Sequence, residues 1–130
     1  MVRARILIAD DHEDTRELVA QLLASEYDIV AVVGDGQAAV AASLRLEPDL
    51  VVLDISMPVM NGLKAAWHLK QCARPPKVVF ITCHADAAYV EEASRLGAEG
   101  YVMKPNLFSD LGDALLAVLA GGQYRSPKLR

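Results

Sequence analysis

This sequence is poor in cysteine, in aromatic residues, in long apolar runs and in net positive charge. Cys72 and Cys83 are its two cysteines in 130 residues, too few for a disulfide scaffold and without metal-site spacing. They read as buried or passive thiols of a reducing cytoplasm. Aromatic residues make up 5% of the chain, so a core must come from Leu, Val, Ile and Ala. No apolar run approaches the roughly 20 residues that a bilayer span requires. Met1-Val2-Arg3-Ala4-Arg5 leads into a short apolar stretch followed at once by acids, which is not a secretory leader. A net charge of −4 excludes the basic face that phosphate neutralisation needs, and with it direct nucleic-acid binding by this domain. There is no Walker loop and no dinucleotide-binding glycine fingerprint.

The hydrophobic fraction of 53% is enough for one sizeable core, and the length leaves no room for a second. Apolar runs at 5–9, 27–33, 50–54, 77–82 and 99–103 read as strands. Between and after them, helical spacing covers 13–24, 37–46, 63–72, 86–96 and 108–120, with Leu63, Ala66, Trp67 and Leu69 on the apolar face of the third helix. Gly97 is placed to end the fourth helix, and Gly121-Gly122 stops the fifth. Strands alternating with helices predict an α/β fold. It is a doubly wound parallel sheet of five strands, order 2-1-3-4-5, with five helices on both faces. Residues 1–122 form the domain, and 123–130 read as a tail or the start of a linker.

The run Leu50-Val51-Val52-Leu53-Asp54 is unbroken until its carboxylate, as expected of a strand buried on both faces. In such sheets ligands bind beyond the carboxyl ends of the strands. Strand one delivers Asp10 and Asp11 there, strand three Asp54, strand four Thr82 and strand five Lys104. Three crowded carboxylates resist full ionisation. A hard, oxygen-ligated cation relieves that repulsion, and Mg²⁺ suits one or two carboxylates with waters and phosphate oxygens. A carboxylate can accept a phosphoryl group as a nucleophile, Lys104 can neutralise phosphoryl charge and Thr82 can donate a hydrogen bond.

These motifs resemble the receiver domain of two-component response regulators (the CheY-like fold). The matching pieces are Asp10-Asp11, the string from Asp54 to Gly62, Thr82, and Gly97 through Tyr101 to Lys104-Pro105. The resemblance implies that Asp54 is the phosphoacceptor, served by a sensor histidine kinase. It implies Mg²⁺ held by Asp11, Asp54 and the Ser56 carbonyl, with Asp10 acting through water. Thr82, Cys83 and Lys104 would border the phosphoryl group, and Thr82 and Tyr101 would be a switch pair. The Lys104-Pro105 bond would be cis. Ser56 and His84 occupy positions that influence phosphate lifetime in the family, while His12 and His68 read as ordinary helix-associated residues. Helix four, strand five and helix five would form the output face, and helix one the kinase-docking face. Receivers of this kind pair as homodimers through the output face or through helices one and five.

The stretch 117–127 is similar to the end of receivers that precede a LuxR-type helix-turn-helix domain, which implies control of transcription. A stand-alone receiver in a phosphorelay is the alternative. A haloacid-dehalogenase-type phosphatase would need a second acid two residues after the nucleophile, where this chain has Ser56. A phosphate-independent pseudo-receiver would lack one of the acids or the lysine, all of which are present.

Overall fold

The computed structural model describes residues 2–83 and 87–126. Along the chain run β1 (Arg5–Ala9), α1 (Glu13–Leu23), β2 (Asp28–Val33), α2 (Gly36–Leu46), β3 (Leu50–Asp54) and α3 (Gly62–Lys70). They are followed by β4 (Lys77–Thr82), α4 (Ala87–Arg95), β5 (Gly100–Met103), a 3₁₀ turn (Lys104–Asn106), α5 (Leu107–Leu119) and β6 (Tyr124–Arg125). The strands form one sheet of order β2-β1-β3-β4-β5-β6, in which every pairing is parallel.

The expected five-stranded sheet is therefore corrected to six strands. The additional strand, Tyr124–Arg125, lies in the stretch 123–130 expected to be tail or the start of a linker. Gly121, at φ 96°, ends α5 in the left-handed conformation. The Gly121 N–H bonds to the Val118 carbonyl and the Gly122 N–H to the Ala117 carbonyl, the paired closure of a Schellman motif. That closure turns the chain back along β5, where the Tyr124 N–H reaches the Glu99 carbonyl and the Ser126 N–H the Tyr101 carbonyl.

Alternation along the central strands divides the interior into two apolar layers, one on each face of the sheet. On one face Leu7, Val51, Leu53, Val78 and Phe80 meet Ala39 and Ala42 of α2, Ala65, Ala66 and Leu69 of α3, and Val90 and Ala93 of α4. On the other, Ile6, Ile8, Leu50, Val52, Val79 and Ile81 meet Val19 and Leu23 of α1 and Leu111, Leu115 and Val118 of α5. Trp67 departs from expectation: it lies half exposed, because the alanine face of α3 turns toward the sheet and leaves the indole at its margin.

The loop from β3 to α3 is fixed by two glycine contacts. The Gly36 N–H donates to the Met60 carbonyl at 3.1 Å, and the Gly62 N–H to the Ile55 carbonyl at 2.7 Å. A Cβ at Gly36 would lie 2.1 Å from the Met60 carbonyl oxygen, and one at Gly62 would lie 1.9 Å from that of Asp54. Asp35 and Asn61 cap α2 and α3 through bonds to the Ala38 and Lys64 amides, each worth about 1 kcal/mol. Between these anchors the Met60 N–H closes onto the Pro58 carbonyl at 2.7 Å. That tight turn holds exposed Val59 at φ 67°, a region β-branched residues rarely enter. Since Gly62 abuts the Asp54 backbone itself, Gly62→Ala should cost about 2–3 kcal/mol through overpacking. Urea unfolding would measure it, and a change within error of zero would contradict the contact.

Candidate functional site

Strand register assembles the site. Ala9 pairs with Leu53, so the next residues, Asp10 and Asp54, stand side by side at the carboxyl edge. Asp54 pairs with Ile81 and Thr82 with Met103, which puts Thr82 and Lys104 at the same edge. Asp10, Asp54 and Thr82 are buried, whereas Asp11, Ser56 and Cys83 are exposed. Lys104 crosses the centre: its Nζ lies 2.8 Å from Asp10 Oδ2 and 3.2 Å from Asp54 Oδ2. The sequence-predicted set of Asp10, Asp11, Asp54 and Lys104 is thus brought together, and Ser56 joins Asp11 and Asn61 on the wall of an adjoining open cavity of about 480 Å³. His84 lies outside the described residues.

The Lys104-Pro105 bond is trans, which corrects the cis expectation; no described peptide bond is cis. Lys104 opens a 3₁₀ turn with Pro105 in its first positions. The fixed φ of proline suits a helical start without the cis isomer. The ammonium reaches both carboxylates from this trans backbone.

One ammonium faces two buried carboxylates, and Asp54 bears the imbalance. Burial, then the negative charge of Asp10, push its carboxyl up to about 6, against the opposing pull of Lys104. Burial alone would lower the Lys104 pKa, but its close 2.8 Å pairing with Asp10 and the charges of Asp54 and Asp10 outweigh it and hold it above the usual lysine value. Asp10 Oδ2 has no well-aligned hydrogen bond among the described residues, its close neighbour being that ammonium. Asp10 Oδ1 is satisfied by the His12 N–H at 2.8 Å.

The donor set fits a divalent cation. Oxygen atoms of Asp10, Asp11 and Asp54 and a nitrogen of His12 all lie within 4.8 Å of one another. His12 is the residue that sequence reasoning missed: its Nδ1 stands 3.0 Å from Asp11 Oδ1 and 3.4 Å from Asp10 Oδ1. Its place directly after Asp11, at the N-cap of α1, was the available signal. Tyr101 is buried and packs on Phe80 at a ring-centroid distance of 6.2 Å, beneath the site on the α4 side of the sheet.

The family model for the response regulator receiver domain matches residues 6–116. The chain belongs to this family. Among curated relatives, it is 36% identical to the transcriptional regulatory protein DegU of Brevibacillus brevis over 98% of its own length and 55% of that protein's. It is 35% identical to the transcriptional regulatory protein LnrK of Bacillus subtilis, covering 96% of this chain and 58% of the relative. The chain therefore spans a little over half the length of these relatives. A solved LuxR-family response regulator from Aurantimonas superposes with a TM-score of 0.92 at 32% identity, covering 98% of this chain and 93% of the other. The receiver domain of the putative response regulator NarL from Mycobacterium tuberculosis gives 0.88 at 29% identity, covering 93% and 99%. No described helix of this receiver is long and apolar enough to cross a membrane.

A carboxyl pKa raised on folding, from 3.8 to about 6, means that the native state binds the proton more tightly than the unfolded chain does. Stability therefore falls as pH rises through that window and stays lower above it. Asp54→Asn should be more stable than the parent by about 2 kcal/mol at neutral pH, with the gap closing below about pH 4. Urea unfolding across pH, without divalent cation, measures this; a gap independent of pH would contradict it.

Proposed function

We propose that the receiver is a phosphorylation-controlled switch in which Asp54 takes a phosphoryl group from a histidine kinase. The observation that carries this reading is the Lys104 ammonium shared between two buried carboxylates, one of them held near a pKa of 6. At neutral pH Asp54 is mostly ionised yet poorly stabilised, which suits a nucleophile. With Oδ2 engaged by Lys104, Oδ1 is the atom that attacks. A new P–O bond forms as the P–N bond of the donor phosphohistidine breaks, and the bonding pair leaves on the donor imidazole. Lys104 then exchanges part of its carboxylate pairing for the incoming phosphoryl oxygens, and the Thr82 hydroxyl donates to one of them. Cys83 and the Ser56 side chain border the product, and Ser56 and His84 set its lifetime.

Asp11, Asp54 and the Ser56 carbonyl would hold Mg²⁺, with Asp10 tied to it through water. The ion supplies charge neutralisation for the phosphoryl oxygens. Ser56 offers a hydroxyl where a phosphatase of the dehalogenase type needs a carboxylate, so slow self-dephosphorylation is the expected limit of turnover. Thr82 and Tyr101 form the switch pair. Output is control of transcription, the role for which DegU and LnrK are named, exerted from a cytoplasmic receiver that pairs as a homodimer.

Incubation with acetyl phosphate and Mg²⁺ should add the mass of one phosphoryl group in intact-protein mass spectrometry. The adduct should vanish in Asp54→Ala and on chelation of the metal. A persistent adduct in Asp54→Ala would place the acceptor elsewhere and overturn the assignment.

A further inference from the structure

The segment Tyr124–Ser126 ties together the three elements nearest the switch tyrosine. Arg125 donates to Ser94 Oγ of α4 at 2.7 Å. The Ser126 N–H bonds to the Tyr101 carbonyl of β5 at 3.0 Å. Ser126 Oγ donates to Asp110 Oδ2 of α5 at 2.9 Å and accepts from the Met103 N–H at 3.0 Å. Ser126 and Asp110 are both buried. We propose that this segment is a strap coupled to the Asp54 site: it is docked while Tyr101 lies inward, as here, and phosphorylation tightens it further. The inference rests on the phosphoacceptor reading above and adds the element that carries the signal away from it.

The coupling runs through Met103 and Tyr101 of β5. Met103, whose amide the strap satisfies, directly precedes Lys104, whose ammonium pairs with Asp54. Tyr101, whose carbonyl holds the strap, has its ring buried against Phe80. A displacement of β5 at either residue changes the geometry of both strap bonds. A two-residue strand is marginal by its backbone pairing alone, so the side-chain network decides whether it stays. Undocking would leave the Met103 N–H and Asp110 Oδ2 without the Ser126 hydroxyl. Exposing half of a buried polar network is unfavourable, which makes docking close to all-or-none. Beside the strap, Val90 and Ala93 of α4 with Tyr101 and Tyr124 line a cavity of about 300 Å³, which gives α4 space to move as the strap tightens.

Amide exchange by NMR on the full chain tests this, with beryllofluoride and Mg²⁺ as the phosphoryl mimic. The Lys104 and Thr82 amides should shift on binding, and exchange at Met103 and Ser126 should slow by about tenfold. Linkage requires the reverse effect as well: Ser126→Ala should weaken the apparent beryllofluoride affinity by about fivefold. Ser109→Ala removes a hydroxyl bonded to the other oxygen of Asp110 and should leave that affinity unchanged. If Lys104 and Thr82 do not respond, the phosphoacceptor reading fails and the coupling with it. If they respond while exchange at Met103 and Ser126 is unchanged, the coupling alone is overturned. An unaltered beryllofluoride affinity in Ser126→Ala overturns it equally, and the exchange measurement on the parent chain needs no variant.

Discussion

The structure turns on a charge imbalance that the fold itself creates: two buried carboxylates, Asp10 and Asp54, share a single ammonium from Lys104. Parallel register makes this unavoidable, because strands paired in step end in step, and their terminal side chains converge. Burial strengthens the repulsion between the acids as well as the attraction to the lysine. The result is a carboxylate that is ionised but uncomfortable, beside an acidic set able to take a cation. Repulsion left in the resting site is what makes an incoming cation and a phosphoryl group welcome there, so some native stability is given up for readiness.

Most of the site could be read from sequence because its members terminate apolar strands, and strand ends are well marked. Asp54 closes Leu50–Leu53, and Lys104 closes Gly100–Met103. Once the strand order is known, the two must be near each other. The features that escaped are those where one residue's meaning depends on a distant one. Ser126 looked like tail until its hydroxyl met Asp110, sixteen residues earlier. Asp110 gives no signal in the sequence, since one acid on an amphipathic helix carries no mark of burial. His12 follows Asp11 directly, yet its place in the acidic cluster depends on Asp54 of β3 as well. The cis proline was inferred from family resemblance, and backbone geometry reaches the same lysine placement with the trans bond.

The two apolar layers help to explain how local chemistry can reach a distant surface. Along β5, Tyr101 and Met103 belong to the layer beneath α2, α3 and α4, while Val102 belongs to the layer beneath α1 and α5. This short strand is therefore a shared wall. Close-packed interiors transmit small displacements rather than absorbing them, and a wall with packed side chains on both faces cannot move for one layer alone. The strap on its outer edge adds α4 and α5 to the same mechanical unit through Arg125 and Ser126.

The β3–α3 loop separates what heredity can alter from what it cannot. Positions 36 and 62 face backbone carbonyls closer than any side chain tolerates, so the frame of the loop is closed to variation. Ser56 and Val59, in the same loop, point into solvent and carry no such restriction. Substitution at these open positions can therefore reset the tempo and partner preference of the module while its scaffold is inherited intact. One architecture can in this way be retuned for many signals in few steps, without passing through unfolded intermediates.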